Sequence, residues 1–223
     1  MSTENTNNNR LVISFMTIRK AIGFIGILLP AALLAATFWV GRCTQIQDSI
    51  SHYYFTIGGD IFVGALCAVA LFLIAYKGYD TTDNICTTIA GVAAILVALF
   101  PTTQTEDTLC AVVQLDDNRG RVWVHYISAG IFFLTLAFIS FFLFTKSRGI
   151  KTEEKKTRNK IYRSCAVIMV VCVVLVFVAT RDAFEDDADA MNAVFWLEWI
   201  ALLAFGTSWL VKGELLLSDH ENG

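Results

Sequence analysis

The chain has 223 residues and a formal net charge of −3; 56% of its residues are hydrophobic, 17% are charged, and its mean hydropathy is +0.59. Soluble domains of this length carry more charge and fewer apolar residues, so the composition excludes a soluble globular class. The apolar character and the acidic balance also exclude nucleic acid as a partner.

The apolar residues are concentrated in six blocks, each close to the roughly 20 residues that a membrane-spanning helix needs. We expect the first block to be retained as a span, because it is too long for the apolar core of a secretory signal. The sequence therefore predicts an all-α membrane protein, a bundle of six transmembrane helices, in one domain (19–212) between a polar N-terminal segment (1–18) and a C-terminal tail (213–223). The blocks cover 19–40, 60–77, 84–101, 123–144, 160–180 and 191–212.

The basic residues give the orientation of these spans, because Lys and Arg collect in short cytoplasmic loops. With the N-terminus placed inside, 13 of the 17 basic residues lie in inside segments and four lie outside. The outside loops hold most of the acidic residues, above all in RDAFEDDADA (181–190). We therefore expect both termini in the cytoplasm, in a multi-pass protein of the plasma membrane or the bacterial inner membrane.

Two of the six cysteines, Cys43 and Cys110, fall in predicted outer loops. Disulfides persist on that oxidising side of a membrane, so we expect a Cys43–Cys110 bridge between the first and second outer loops. The other four cysteines lie in spans or at their edges, where a thiol behaves as a small apolar residue. No Cys or His spacing is typical of a zinc site, and no metal or other cofactor is predicted.

Four glycines lie inside predicted spans. Small residues let membrane helices approach each other closely. We therefore expect each of them to mark a contact between helices: Gly64, Gly91, Gly130 and Gly206.

Ionisable residues in or beside the spans collect on the outer side, from the loop before the second span to the sixth span. Such a side chain usually faces the bundle interior and has a partner. We expect Glu198, about two turns into the sixth span, to pair with His125, about one turn into the fourth; the alternative is a backbone or hydroxyl donor from the first outer loop. The six candidates for a ligand site are Ser51, His52, Tyr54, Asp60, His125 and Glu198.

These residues also have structural interpretations. Glu198 can hold the last span in register through a hydrogen bond, and His125 can be an interfacial residue. Asp60 can cap the second span and favour its dipole, and His52 can lie in solvent. Polar groups from several elements at one depth nevertheless favour a shared site. No nucleophile elbow, phosphate loop or HExxH motif occurs, so no catalytic residue is predicted.

Several short segments follow a common pattern: SISHYYFTIGGDIFVGAL, AGVAAILVALFPTT, VHYISAGIFF and LEWIALLAFGTSWL. In this pattern the chain resembles the six-span DRAM/Frag/Sfk family and related bacterial membrane families of unknown function. The resemblance covers roughly residues 20–212 and implies a link to lipid handling. The positions that carry it are Ile50 with Ser51, Phe62 with Gly64, His125, and Glu198 with Trp199.

Three functions follow from these observations. The first is binding or handling of a lipid or another amphiphile in an outer-half polar pocket, with membrane lipids as partners. The second is a metal-dependent intramembrane lipid hydrolase, in which His52, Asp60, His125 and Glu198 would supply about three zinc ligands. The third is a proton-coupled transporter or channel that uses Glu198 as its protonation site.

Overall fold

The structure is a computed structural model that describes residues 2–78, 80–104, 110–116, 118–146, 152–180 and 192–215, with the backbone alone for residues 2–14. Within these ranges the chain is all-α, as predicted, with six long helices and no strand. The helices are α1 (Ser2–Ala35), α2 (Gly59–Ala75), α3 (Thr81–Leu99), α4 (Arg119–Phe138), α5 (Glu153–Ala179) and α6 (Ala193–Lys212). Turns of π-helix extend α1 through Ala36–Val40 and α4 through Ile139–Leu143.

Five segments of the described chain are long and apolar enough to cross a membrane. α2 is equally apolar but has only 17 residues, which gives about 25 Å at 1.5 Å per residue. The chain is therefore a multi-pass membrane protein built as a helical bundle. The five segments are Phe15–Val40, Thr81–Leu99, Arg119–Leu143, Glu153–Ala179 and Ala193–Lys212.

The six helices form a closed ring, because each packs against its neighbours in sequence and α1 also packs against α6. Successive helices run in opposite directions. Arg19 near the start of the α1 span therefore reaches Tyr76 after α2, and His125 near the start of α4 reaches Phe100 after α3. One end of the ring, called the outer end here, carries the first and second predicted outer loops; the other, the inner end, carries most of the basic residues among those described.

Polar residues fix where three helices begin. The side chain of Asp80 accepts the backbone N–H of α3 residue Asp83, at 3.0 Å. Asn118 and Thr152 cap α4 and α5 in the same way. Such caps satisfy amide groups that the first turn of a helix leaves unpaired. These helices consequently start a few residues before the apolar blocks that predicted them.

Close helix contacts occur at two of the four glycines expected to make them. A methyl group on Gly206 of α6 would lie 2.6 Å from the carbonyl oxygen of Gly23 in α1, and one on Gly91 would lie 2.8 Å from a backbone oxygen of α2. Gly64 and Gly130 have open space at that position, so the prediction is wrong for these two. They lie on helix faces turned away from their neighbours.

Candidate functional site at the outer end

The first outer loop, residues 41–58, covers the outer end of the ring and includes the 3₁₀ helix Ser51–Phe55. Its Cys43 forms a disulfide with Cys110 of the second outer loop, with a Cα–Cα distance of 6.0 Å. This is the pairing that we expected from the sequence. The N–H of Val112 also donates to the carbonyl of Phe55, at 2.8 Å. The two outer loops are therefore joined by covalent and hydrogen bonds.

Glu198 of α6 binds the backbone of the first outer loop. Its Oε2 accepts the N–H of Ile50 at 2.6 Å, and the backbone of the next residue, Ser51, also interacts with this carboxylate. Hydrogen bonds to a charged acceptor are stronger than those between neutral groups. The side chain is half-buried. The carboxylate itself is buried and fixes the loop to the helix.

His125 of α4 binds the same part of the loop from another side. Its buried ring has Nδ1 2.8 Å from the carbonyl oxygen of Phe100 and Nε2 3.1 Å from the hydroxyl of Ser51. Because a carbonyl only accepts, Nδ1 carries a proton, and in the neutral ring Nε2 accepts from Ser51. His125 therefore joins the end of α3, the start of α4 and the first outer loop.

Glu198 and His125 do not bind each other; both bind the dipeptide Ile50–Ser51. The expected Glu198–His125 pair is therefore replaced by the alternative, a donor from the first outer loop. α4 and α6 meet across the ring in its inner half, where the hydroxyl of Ser140 donates to Ser208 at 2.9 Å. At the outer end the loop lies between them.

Buried aromatic rings seat the loop on the bundle. Tyr53 and Phe195 have no exposed surface, and their ring centroids are 6.0 Å apart. The N–H of Phe195 donates to the carbonyl of Asp48 at 2.9 Å, which ties the start of α6 to the loop a second time. Burial raises the pKa of the Tyr53 hydroxyl above its ordinary value of 10.0. Tyr53 is not among the six candidates predicted from the sequence, because nothing in the pattern of a polar loop distinguishes a buried tyrosine from an exposed one.

The remaining three candidates lie at the edge of this arrangement. Asp60 is exposed and makes no capping hydrogen bond, since the N-cap residue is Gly58, so the expectation that it caps α2 is wrong. It does lie in the first turn of α2, where a carboxylate favours the helix dipole. His52 is half-buried with its Nδ1 3.9 Å from the carboxylate of Asp48. Tyr54 is half-buried and packs its ring edge-on against its neighbour in the 3₁₀ helix.

The described residues do not support the metal-dependent alternative. Among them, no three His, Cys, Asp or Glu side chains lie close enough together to hold a metal ion, whereas a catalytic zinc needs about three protein ligands. Both nitrogens of His125 already have protein partners. The acidic segment 181–190 lies outside the described residues.

An ion-pair network at the inner end was not predicted. Lys146, after α4, donates to the carboxylates of Asp80 and Asp83, each at 2.8 Å. These bonds raise the pKa of Lys146 above its ordinary 10.5, and the bond from Lys146 lowers the pKa of Asp80 below its ordinary 3.8. Hydropathy gave no signal for the network, because all three residues flank the apolar blocks.

Comparison with family models, with curated proteins and with solved structures finds no match to this chain. Its function is therefore inferred from the geometry of the outer end.

Proposed function

We propose that this multi-pass membrane protein binds a lipid or another amphiphile in the outer half of the bundle, with Glu198 engaging the polar headgroup. The observation that carries the proposal is the buried carboxylate of Glu198, which holds the backbone of Ile50. A carboxylate accepts at about four positions. The two neighbouring loop amides therefore leave capacity for a donor from a ligand.

The chemistry of Glu198 favours a headgroup that carries hydroxyl or amino groups. A carboxylate only accepts hydrogen bonds when ionised, and it attracts positive charge. The apolar helices would hold the acyl chains, as ligand sites between bundle helices commonly do. The first outer loop would cover the headgroup. The lipid handling implied by the DRAM/Frag/Sfk resemblance, and a place in the plasma membrane or the bacterial inner membrane, agree with this proposal.

The substitution Glu198→Gln tests it, because the amide oxygen can still accept from Ile50 while the amide NH₂ places donors where the ligand's donor would bind. Native mass spectrometry of protein purified in mild detergent should find an amphiphile retained by the wild type. We expect Glu198→Gln to retain at most about a tenth as much, as for the loss of one charge-assisted hydrogen bond.

Asp60→Asn is the matched control, since it neutralises an outer carboxylate whose side chain is exposed. It should retain the amphiphile as the wild type does. Equal retention by the wild type and Glu198→Gln would contradict the proposal. Proton flux in liposomes that stops in Glu198→Gln, without any retained amphiphile, would instead favour the proton-coupled transporter.

A further inference from the structure

The first turn of α4, at the outer end of the ring, contains two arginines, Arg119 and Arg121, and no acidic residue. Negatively charged groups are favoured at the start of a helix, because the helix dipole is positive there. Two arginine side chains add to the positive potential that the dipole already gives. The start of α4 is therefore a place where an anion is favoured.

The two arginines differ in burial and in what their side chains bind. Arg119 is exposed, whereas Arg121 is half-buried. The Nε and Nη2 atoms of Arg121 are buried and have no hydrogen-bond partner among the described residues. These two nitrogens form one edge of the guanidinium, and their N–H groups are the parallel donors that bind an oxyanion through two hydrogen bonds. Because buried and unpaired donors on a charged group are costly, a ligand that accepts from both would stabilise this arrangement.

Arg121 lies on the face of α4 that points into the ring. Residues four apart in a helix share a face, and Arg121 is four residues before His125, which is buried and binds Ser51. Because α4 begins at the outer end, Arg121 is about 6 Å nearer to the outer surface than His125. The neighbour of Ser51, Ile50, binds Glu198. Arg121 therefore lies at the same end of the bundle as the candidate site, one helical turn outside it.

The position of Arg121 along α4 matches the depth of lipid phosphates. It is the third residue of Arg119–Leu143, a segment long and apolar enough to cross a membrane. Trp123, two residues further on, is 64% exposed, and tryptophans collect at the level of the lipid headgroups. Phosphate oxygens match the two parallel donors of an arginine edge. The phosphate of a membrane lipid is therefore the anion that this place fits best.

We propose that Arg121 binds a phosphate group through its Nε and Nη2 atoms, and that the amphiphile bound at the outer end is therefore a phospholipid. This inference rests on the proposed function, because it adds a phosphate to the hydroxyl or amino groups that Glu198 favours in the same ligand. A free phosphate ion offers the same oxygens to Arg121, so the experiment must separate the ion from the lipid.

Native mass spectrometry of the detergent-solubilised full chain tests the site with two lipids that have the same acyl chains, phosphatidylethanolamine and diacylglycerol. Both carry a hydrogen-bond donor for Glu198, and only phosphatidylethanolamine has a phosphate. We expect the wild type to bind phosphatidylethanolamine roughly tenfold more tightly, as for one charge-assisted contact. Arg121→Met, which keeps an unbranched side chain but removes every donor, should bind the two lipids equally. The matched control is Arg119→Met, at an exposed arginine of the same turn, which should keep the preference.

Melting temperatures of the lipid-free proteins show whether the guanidinium of Arg121 has a partner within the chain. We expect Arg121→Met to melt no lower than Arg119→Met, because it removes a buried charge that has no partner. Phosphatidylethanolamine should then raise the melting temperature of the wild type and of Arg119→Met, and not that of Arg121→Met. A lower melting temperature for lipid-free Arg121→Met than for Arg119→Met would overturn the proposal, since the guanidinium would then be bound within the chain.

The binding results also separate this inference from the proposed function. Equal binding of the two lipids by the wild type, with both lost in Glu198→Gln, would overturn the phosphate site and leave the proposed function standing. A preference for phosphatidylethanolamine that persists in Glu198→Gln and is lost in Arg121→Met would support the phosphate site and contradict the role of Glu198. Loss of the preference in Arg119→Met as well would overturn the phosphate site, since general surface charge would then explain it.

Competition by inorganic phosphate identifies the source of the phosphate group. Displacement of phosphatidylethanolamine from the wild type by millimolar phosphate supports a site that also accepts the free ion. No displacement, with the lipid preference intact, supports a site for lipid headgroups alone.

Discussion

The hydroxyl of Ser51 and the ring of His125 form a contact between a loop and a helix that are 74 residues apart in sequence. Ser51→Ala should lower the free energy of unfolding by about 1 kcal/mol, the ordinary contribution of such a hydrogen bond. In a His125→Phe background the same substitution should cost less, because the bond is already absent. Denaturation of all four proteins in one detergent measures the coupling. Strictly additive effects would show that the two side chains do not interact.

The bonds of Lys146 predict a defined pH dependence. The lowered pKa of Asp80 gives stability that is present above 3.8 and lost as the pH falls through its folded-state pKa. The raised pKa of Lys146 gives stability that is present below 10.5 and lost as the pH rises further. Lys146→Gln should therefore lower the melting temperature between roughly pH 5 and pH 9.

The difference between Lys146→Gln and the wild type should shrink well below pH 3.8, where Asp80 is protonated. Lys156→Gln is the control, because it removes an exposed ion pair within a single helix, to Glu153, and should change the melting temperature less. A difference that stays constant from pH 3 to pH 9 would show that the charge of this pair is not what stabilises the protein.

Among individual residues, the sequence correctly identified Glu198 as a residue that needs a partner, since a carboxylate in an apolar span is conspicuous. It did not identify Ile50, because every non-proline residue offers the same backbone N–H. Which amide lies near the carboxylate depends on how the loop packs. For the same reason the sequence did not identify Phe100 as the partner of His125, since every residue has a backbone carbonyl like the one that binds this ring.

Of the helix pairs with a glycine at their contact, α1 and α6 approach each other most closely, backbone to backbone, at Gly206. Gly206→Ala would place a methyl group 2.6 Å from a backbone oxygen of Gly23, so the helices must separate, at a cost of about 1–3 kcal/mol. Gly130→Ala is the control: its methyl group meets open space, and alanine favours a helix over glycine. Thermal denaturation should show a lower melting temperature for Gly206→Ala alone. A loss of the same size in both would contradict the close contact.

Hydropathy predicted the helices but not which glycines contact a neighbour. A residue's place around a helix changes by about 100° with each step along the chain, and a span that is apolar on all sides does not reveal its packed face. Gly91 and Gly206 therefore could not be distinguished from Gly64 and Gly130 by sequence. The helix starts were missed for a simpler reason, since Asp80 and Thr152 are polar caps outside the apolar blocks.

For the molecule as a whole, the alternating directions of the helices and the distribution of basic residues predict six passes with both ends in the cytoplasm. A phosphatase that is active only outside should be active when fused after Leu115 and inactive when fused after Leu215. A fluorescent protein that matures only inside should give the reverse pattern. Phosphatase activity at both positions would contradict this topology and point to an even number of spans between them.

The closure of the ring is a property that only the folded chain has. α1 and α6 are distant in sequence, and nothing in their apolar patterns specifies that they pack together. The Cys43–Cys110 pairing, by contrast, followed from the topology, because it was the one pair assigned to the outer loops.

The central claim of this account is that the carboxylate of Glu198 holds the first outer loop on the bundle. Hydrogen–deuterium exchange of peptides covering residues 45–55, in lipid nanodiscs, tests it most directly. We expect slow exchange in the wild type and in Asp60→Asn, nearly the same in Glu198→Gln, and exchange about tenfold faster in Glu198→Ala, which leaves the Ile50 amide without its acceptor. Exchange that is equally slow in Glu198→Ala would contradict the claim.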